Sequence, residues 1–373
     1  MRRKESSTVE AVSLLLLHKS STELRLHGGR PDGKPSAVTM GLTRQLVGTH
    51  HGAVKRTLEP DDEAHQADGD AADPLRRRPP PETLDWAARS VGRGAKVLAV
   101  RRLTEGHSHA NHLVTVRAAR GAHQELVLRR WARPGWELHD PDETPEREAA
   151  VLELLGAVPV PTPRLINLDS DGSVCDVPAL LTDRLPGGPP GQPGDRDSFV
   201  RQLAEVLPAI HAVCDVPGEI PPYRRHHENL ESIEPPWWAR RPDLWRQGAE
   251  LVAENPRPAR RECFIHRDYH PGNTLWSGGR LTGVVDWTQG SWGPPGVDTA
   301  HMRWNLAVGY GLDAAERFLA YYRDLARDTD SDQYYWDLVT LLDVLWELDP
   351  DDLPLGWDLA RFEQYLAAVL DPT

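Results

Sequence analysis

One breaker, Leu185-Pro186-Gly187-Gly188-Pro189-Pro190, divides this chain into two textures, and that division limits the fold more than any other feature. Ahead of it, residues 97–100, 112–116 and 125–129 read as short strands, with Thr104 to Ser108 turning between the first two. A helical pattern follows at 145–155: Ala149, Val151, Leu152 and Leu155 share a face, and Glu146 and Glu148 sit in the first turn, where carboxylates suit the helix dipole. Two further strands are expected at 164–169 and 179–183. Beyond the breaker, Leu203, Val206, Leu207 and Ile210 recur at helical spacing behind a capping Asp197 or Ser198, and 313–325, 334–348 and 359–370 repeat the pattern. The expectation is an α+β chain with a small antiparallel-sheet lobe over 82–185 and a larger, mainly helical lobe over 186–373.

A length of 373 residues accommodates two such lobes and an extension. Residues 1–81 show no sustained period, carry an acidic patch over 59–73 and end in Arg76-Arg77-Arg78-Pro79-Pro80-Pro81. We expect a disordered or poorly packed extension closed by a stiff linker, its arginines a solvated charge run. The net charge of -13 argues against a nucleic-acid partner, which needs clustered cations. Three widely spaced cysteines, Cys175, Cys214 and Cys263, give neither a disulfide framework nor a thiolate zinc site, so a reducing cytoplasm is the expected compartment. The apolar run at 11–17 is too short for a membrane span and lacks the small-residue cleavage pattern of a signal peptide. Nothing in the sequence reports the oligomeric state.

The chemistry concentrates between Phe264 and Gly293. Strand-like residues 274–276 and 281–286 flank Ser277-Gly278-Gly279-Arg280, which predicts a hairpin. Pairing about that turn sets Asn273 across from about Val284 and within two residues of Asp286. The Pro271-Gly272 bend folds Asp268 toward the same space. Three oxygen-bearing side chains in one place suit Mg²⁺ on a nucleotide's phosphates better than zinc, which prefers His and Cys. His266-Arg267-Asp268 with Asn273 also reproduces the H-R-D-x-x-x-x-N spacing of phosphoryl-transfer catalytic loops.

Three segments together carry a resemblance: residues 264–273, then Val284-Val285-Asp286-Trp287, then Gly296-Val297-Asp298-Thr299-Ala300. From about Leu84 onward the chain resembles the aminoglycoside phosphotransferase and choline kinase-like family, whose fold is protein-kinase-like. The resemblance implies ATP or GTP with Mg²⁺, and a hydroxyl of a small molecule as acceptor. It makes Asp268 the catalytic base or orienting residue, Asn273 and Asp286 the Mg²⁺ ligands, and His266 and Asp298 structural support. For the nucleotide it implies Arg129 on the third strand paired with Glu148. It also implies a phosphate cover at Gly106 and Ser108, and a base site at Thr182 and Asp183 near Leu185. Arginine stands where the family expects lysine, and the cover holds one glycine rather than a G-x-G-x-x-G.

Two other readings stay open from the residues alone. His266, Asp268 and His270 alternate along an extended strand and could grip zinc or iron as a metallohydrolase. A nucleotide-binding pseudokinase would keep the fold without chemistry. For the acceptor, Asp337, Asp343, Glu347, Asp349, Asp351 and Asp352 would attract a cationic, amino-bearing compound, although solvated helix faces give the same composition. His211 reads as a satisfied core histidine. Trp237, Trp238 and Trp245, in a proline-rich insertion, suit a stacking pocket or packing against the helical lobe equally.

Overall fold

Alternation along the third strand organises the small lobe. In the computed structural model, which describes residues 73–103, 108–139, 142–215, 217–259, 262–327, 332–344 and 359–371, strands β1 (Lys96–Arg102), β2 (Ala110–Arg117), β3 (His123–Arg130), β4 (Leu165–Asp169) and β5 (Ala179–Asp183) form one antiparallel sheet. Its order is β1-β2-β3-β5-β4. Leu126 and Leu128 of β3 join Val114, Val116, Ala179 and Leu181 on one face, where Trp86, Ala87 and Ala88 of helix α1 (Pro81–Val91) complete a core. Val127 and Arg129, one residue out of phase, point to the other face and line a cleft. Arg130 returns to the α1 side, donating to Asp176 Oδ2 at 2.6 Å and to the Arg77 carbonyl at 2.6 Å. The Arg76 to Pro81 segment is therefore fastened to the sheet at Arg77, with Pro79 buried. The rest of the expected extension, residues 1–72, lies outside the described residues.

Helix α2 (Pro145–Leu155) starts where its sequence dictates: Thr144 Oγ1 accepts the Arg147 amide at 3.2 Å, with proline at the first helical position. Ala149, Val151, Leu152 and Leu155 then enter the main core, which continues into the helical lobe. That lobe comprises α3 (Arg196–His211), α4 (Pro242–Glu254), α5 (Gly296–Tyr310), α6 (Leu312–Ala326), α7 (Gln333–Asp343) and α8 (Leu359–Leu370). The cap of α3 is Asp195, which accepts the amides of Asp197 and Ser198 at 3.0 and 3.1 Å, so the helix begins before the expected caps. From Val297 to Val308 every residue of α5 is buried, which makes it the central helix of the lobe.

Two short ladders interrupt the helices, β6 (Cys263–Ile265) with β9 (Ser291–Gly293), and β7 (Thr274–Ser277) with β8 (Arg280–Val284). The second is the expected hairpin, turning at Gly278 and Gly279 with φ of 57° and 76°. A bulge between Leu275 and Trp276 shifts its register, so that Thr274 pairs with Val284 and the Asn273 carbonyl accepts the Val285 amide at 2.9 Å. Asn273 thus lies one position nearer Asp286 than the unbulged count gives. The breaker after β5 crosses this hairpin: Trp276 exchanges backbone bonds of 2.7 and 3.1 Å with Gly188. Gly187, at φ 99°, lies where a Cβ would stand 2.6 Å from the Trp276 carbonyl oxygen. Only glycine passes there.

Candidate active site

Asp298, in the first turn of α5 and fully buried, builds the loop that follows β6. Its carboxylate accepts the backbone amides of His266 at 2.9 Å and Arg267 at 2.7 Å, and His211 Nε2 lies 3.1 Å away. His211 also meets the Tyr322 hydroxyl at 2.9 Å, so it is a satisfied core histidine. The His266 ring packs on Trp287 at 4.3 Å, and its Nε2 meets the Val285 carbonyl at 3.0 Å, tying this loop to the end of β8. Arg267 and Asp286 both hold left-handed backbone, φ 71° and 65°. Each such residue costs on the order of 1 kcal/mol and persists where surrounding bonds over-determine it, commonly at functional sites.

Asp268 lines the cleft with both carboxylate oxygens engaged. Asn273 Nδ2 donates to Oδ2 at 2.7 Å and to the Asp268 carbonyl at 3.0 Å, while His301 Nε2 lies 3.1 Å from Oδ1. His270 Nε2 is 3.7 Å from Oδ2. Burial opposes ionisation here, but the histidines outweigh it and hold Asp268 below the ordinary carboxylate range. Burial also keeps His270 below the ordinary imidazole value, so at neutral pH the hydrogen bond from His301 supplies the stabilisation that His270 does not. His301 was not singled out from the sequence. Its signal was available: it stands three residues after Asp298, hence on the same face of a helix that Asp298 ties to the loop.

At the other end of the site Arg129 bridges two carboxylates. Nη1 lies 3.0 and 3.1 Å from the oxygens of Glu148 and 2.9 Å from Asp286 Oδ1, and Nε donates to Asn111 Oδ1 at 3.2 Å. One cation between two carboxylates, Glu148 buried and Asp286 half-exposed to the cleft, satisfies them unequally. Burial pushes Glu148 up to about 7 although Arg129 opposes the shift, whereas Arg129 outweighs burial at Asp286 and lowers it. Beside them His109, edge-on to Trp131 at 4.6 Å, is lowered to about 3 by burial and then by Arg129.

One cleft of about 1230 Å³ is lined by Asp268, Asn273, Asp286, Arg129, Glu148, Ser108, Thr182 and Asp183 together. Gly106 lies outside the described residues. Along the expected base site the amides of Asp183 and Arg184 are already committed, to the carbonyls of Arg164 and Glu125 at 3.1 and 3.2 Å, leaving Leu185 the next backbone donor. Trp245 is buried and stacks on Phe362 at 5.6 Å, and Trp238 meets both edge-on, so these two pack the helical lobe, while Trp237 stays exposed.

Asn273 spends its amide nitrogen on Asp268, which leaves its oxygen; Asp286 shares Oδ1 between Arg129 and Thr288, which leaves Oδ2. Two hard oxygens beside this cleft fit Mg²⁺, which takes few protein ligands and fills its shell with phosphates and water. Among the described residues no group of three or more His, Cys, Asp or Glu is placed to hold a metal. His266 faces Val285 and Trp287 rather than Asp268, so the His-Asp-His zinc arrangement is not formed.

The sequence profile of the phosphotransferase enzyme family matches residues 99–335. The chain belongs to this family. The match spans β1 to the start of α7 and so takes in every part of the site just described. No curated protein matches the phosphotransferase in sequence. Among solved structures, a putative aminoglycoside phosphotransferase from Ralstonia eutropha JMP134 superposes with a TM-score of 0.54 at 17% identity, over 79% of this chain and 97% of the other. A macrolide 2'-phosphotransferase from Brachybacterium faecium gives 0.50 at 20% identity, over 78% and 98%. A thermostable mutant of an aminoglycoside phosphotransferase, solved with ADP and hygromycin B, gives 0.50 at 17%, over 74% and 94%. At such identities the likeness is one of fold, two-lobed and protein-kinase-like.

Proposed function

We propose that this phosphotransferase moves the γ-phosphoryl group of ATP or GTP to a hydroxyl of a small molecule, with Mg²⁺ required. The observation that carries the reading is the convergence of Asp268, Asn273, Asp286 and the Arg129–Glu148 pair on one cleft. One of the structural neighbours was solved with ADP and hygromycin B. Mg²⁺, held by Asn273 and Asp286, would neutralise charge on the phosphates.

The chain's own groups do the rest. Arg129, oriented by Glu148 and Asn111, faces the nucleotide phosphates, and the Leu185 amide faces the base. Asp268, held ionised by its hydrogen bonds, accepts the acceptor's O–H and points the oxygen lone pair at phosphorus. The new P–O bond forms as the bond to the β-phosphate oxygen breaks, leaving ADP or GDP. The acceptor's proton passes to Asp268 late, since a carboxylate of low pKa takes a proton only once the oxygen has become acidic. For the compartment, the thiols of Cys175, Cys214 and Cys263 form no disulfide, and among the described residues no helix is long and apolar enough to cross a membrane.

The test is nucleotide turnover by the purified chain against a panel of hydroxylated amines, sugars, macrolides and amino acids, with and without Mg²⁺. Mg²⁺-dependent phosphoryl transfer to at least one acceptor is expected. A nucleotide-induced thermal shift with no turnover on any acceptor would point to the pseudokinase instead, and no response to nucleotide would end both readings.

A further inference from the structure

The acceptor end of the cleft has donors to spare, while its carboxylates already carry hydrogen bonds within the protein. Asp343 accepts the amides of His226 and His227 at 3.0 and 2.8 Å, and Asp268 is taken by Asn273 and His301. Asp337, which counted toward a cationic acceptor in the sequence, is buried against Arg303 and does not line the cleft. Glu347, Asp349, Asp351 and Asp352 lie outside the described residues. On the donor side, Arg267, Thr340, Tyr223 and His226 line the same cleft as Asp343 and His301, and His226 is tied to both Arg267 and Asp343. Arg267 Nε and Thr340 Oγ1 are buried without a hydrogen-bond partner among the described residues.

Arg267 is the notable member. Arg129, Arg130 and Arg303 each reach at least one carboxylate, whereas Arg267 has no ion pair among the described residues. Its guanidinium lies 3.2 Å from His226 Nε2 and 5.8 Å from the centroid of the Tyr223 ring. Neither contact neutralises it, and His226 is held near 4 by burial and by Arg267 itself, so it adds no positive charge of its own at neutral pH. The residue also holds φ 71°, a backbone region where glycine or asparagine would sit with less strain. On this strained backbone between His266 and Asp268, a guanidinium with no ion pair among the described residues and a buried, unsatisfied Nε is a donor that a ligand would complete.

We infer that the acceptor is an anionic hydroxyl compound, whose carboxylate or phosphate is held by Arg267 with Thr340 while its hydroxyl meets Asp268. The inference rests on the phosphotransferase reading for the role of Asp268, but the anion site itself does not require turnover. It reverses the charge expected of the acceptor from the acidic run alone.

Four sugars that share a pyranose ring and differ in charge test it: glucose, glucosamine, glucuronate and glucose 6-phosphate. Thermal shifts are measured on the full chain at constant ionic strength and tens of millimolar sugar, with Mg²⁺ and a non-hydrolysable ATP analogue saturating, so that the nucleotide's own phosphate positions are filled. Glucuronate or glucose 6-phosphate should stabilise the protein beyond the neutral and amino sugars, and which of the two does so tells carboxylate from phosphate. Arg267→Asn, chosen because asparagine tolerates the left-handed backbone, should weaken that anion response by about tenfold or more in apparent affinity while keeping the response to the ATP analogue. Stabilisation by glucose or glucosamine equal to that by the anions, no response to either anion, or an anion preference that survives in Arg267→Asn would each overturn the inference. Loss of the response to the ATP analogue in the unaltered chain would count against the phosphotransferase reading and leave the anion comparison readable by itself.

Discussion

Among the described residues two largely buried arginines are each held between two carboxylates, yet only one of them faces the cleft. Arg129 joins Glu148 and Asp286, while Arg303 of α5 joins Asp337 of α7 and reaches Glu316 of α6 at 2.6 Å. Both clusters are buried enough to shift their carboxyls: burial raises Glu148 and Asp337 alike. Burial and perturbed titration therefore do not tell a site from a strut. What separates the two is the spare oxygen. The Asp337 side chain is 1% exposed and takes a further bond from Gln333 at 3.0 Å, whereas that of Asp286 is 35% exposed and opens into the cleft. The first cluster engages both oxygens of its buried carboxylate, and the second leaves Asp286 Oδ2 open to the cleft among the described residues.

Removing each arginine should expose that difference. Arg303→Met strands Asp337 inside the lobe, and an unpaired buried charge of this kind costs about 3–5 kcal/mol, read as a large fall in the denaturation midpoint. Nucleotide affinity of the remaining folded protein should not change. A small fall would mean that Asp337 simply takes up a proton and that the cluster contributes little.

Arg129→Ala should act in the opposite sense. We expect nucleotide affinity to weaken by about tenfold or more, the scale of a lost charge-assisted contact. Its stability cost should be smaller, about 1–2 kcal/mol, because Glu148 already titrates up to about 7 and can be neutralised. Equal stability losses at the two arginines would break the comparison.

The pair should also be coupled: the doubly substituted chain Arg129→Ala, Glu148→Ala should lose less nucleotide affinity than the two single losses summed, by about 1 kcal/mol. Additive losses would mean that Glu148 does not orient Arg129. The smallest effect is the pH dependence. Glu148 binds its proton more tightly folded than unfolded, so its penalty is absent below 4.5, accrues as pH rises, and is complete above about 7. Replacing it with Gln should remove that fall in stability between pH 4.5 and 7; an unchanged slope would show that Glu148 is ionised throughout.

How much of this was legible in the sequence follows from which signals are local. α2 could be read to its ends because Thr144 and Pro145 start it and its apolar face is periodic. Arg129 could be placed on the cleft side because strand alternation is strict, and the strand is only extended by a residue or two at each end. The hairpin was legible from Gly278 and Gly279, but not the bulge that moves Asn273 by one position, since nothing local marks it. Helix α5 was missed altogether. Buried on every side, with His301, Arg303 and Asn305 along it, it shows no amphipathic period, and it was visible only as the Gly296 to Ala300 motif. His301 went with it, because its 3.1 Å approach to Asp268 is made by packing between segments more than thirty residues apart. Helix α4 was hidden by Pro235, Pro236 and the two tryptophans ahead of it, which read as loop.

The central claim is that Asp268 and Asp286, two carboxylates of one stretch, do different work, and Asp268→Asn beside Asp286→Ala tests it most directly. Each is measured for the Mg²⁺-dependent thermal shift with ATP and for turnover on the best acceptor found. Asp286→Ala should lose the Mg²⁺-dependent shift, since ligand stabilisation follows affinity for the folded state. Asp268→Asn should keep that shift while turnover falls by about 10²-fold or more. Loss of the shift in Asp268→Asn with its retention in Asp286→Ala would contradict the assignment of the two ends of the site.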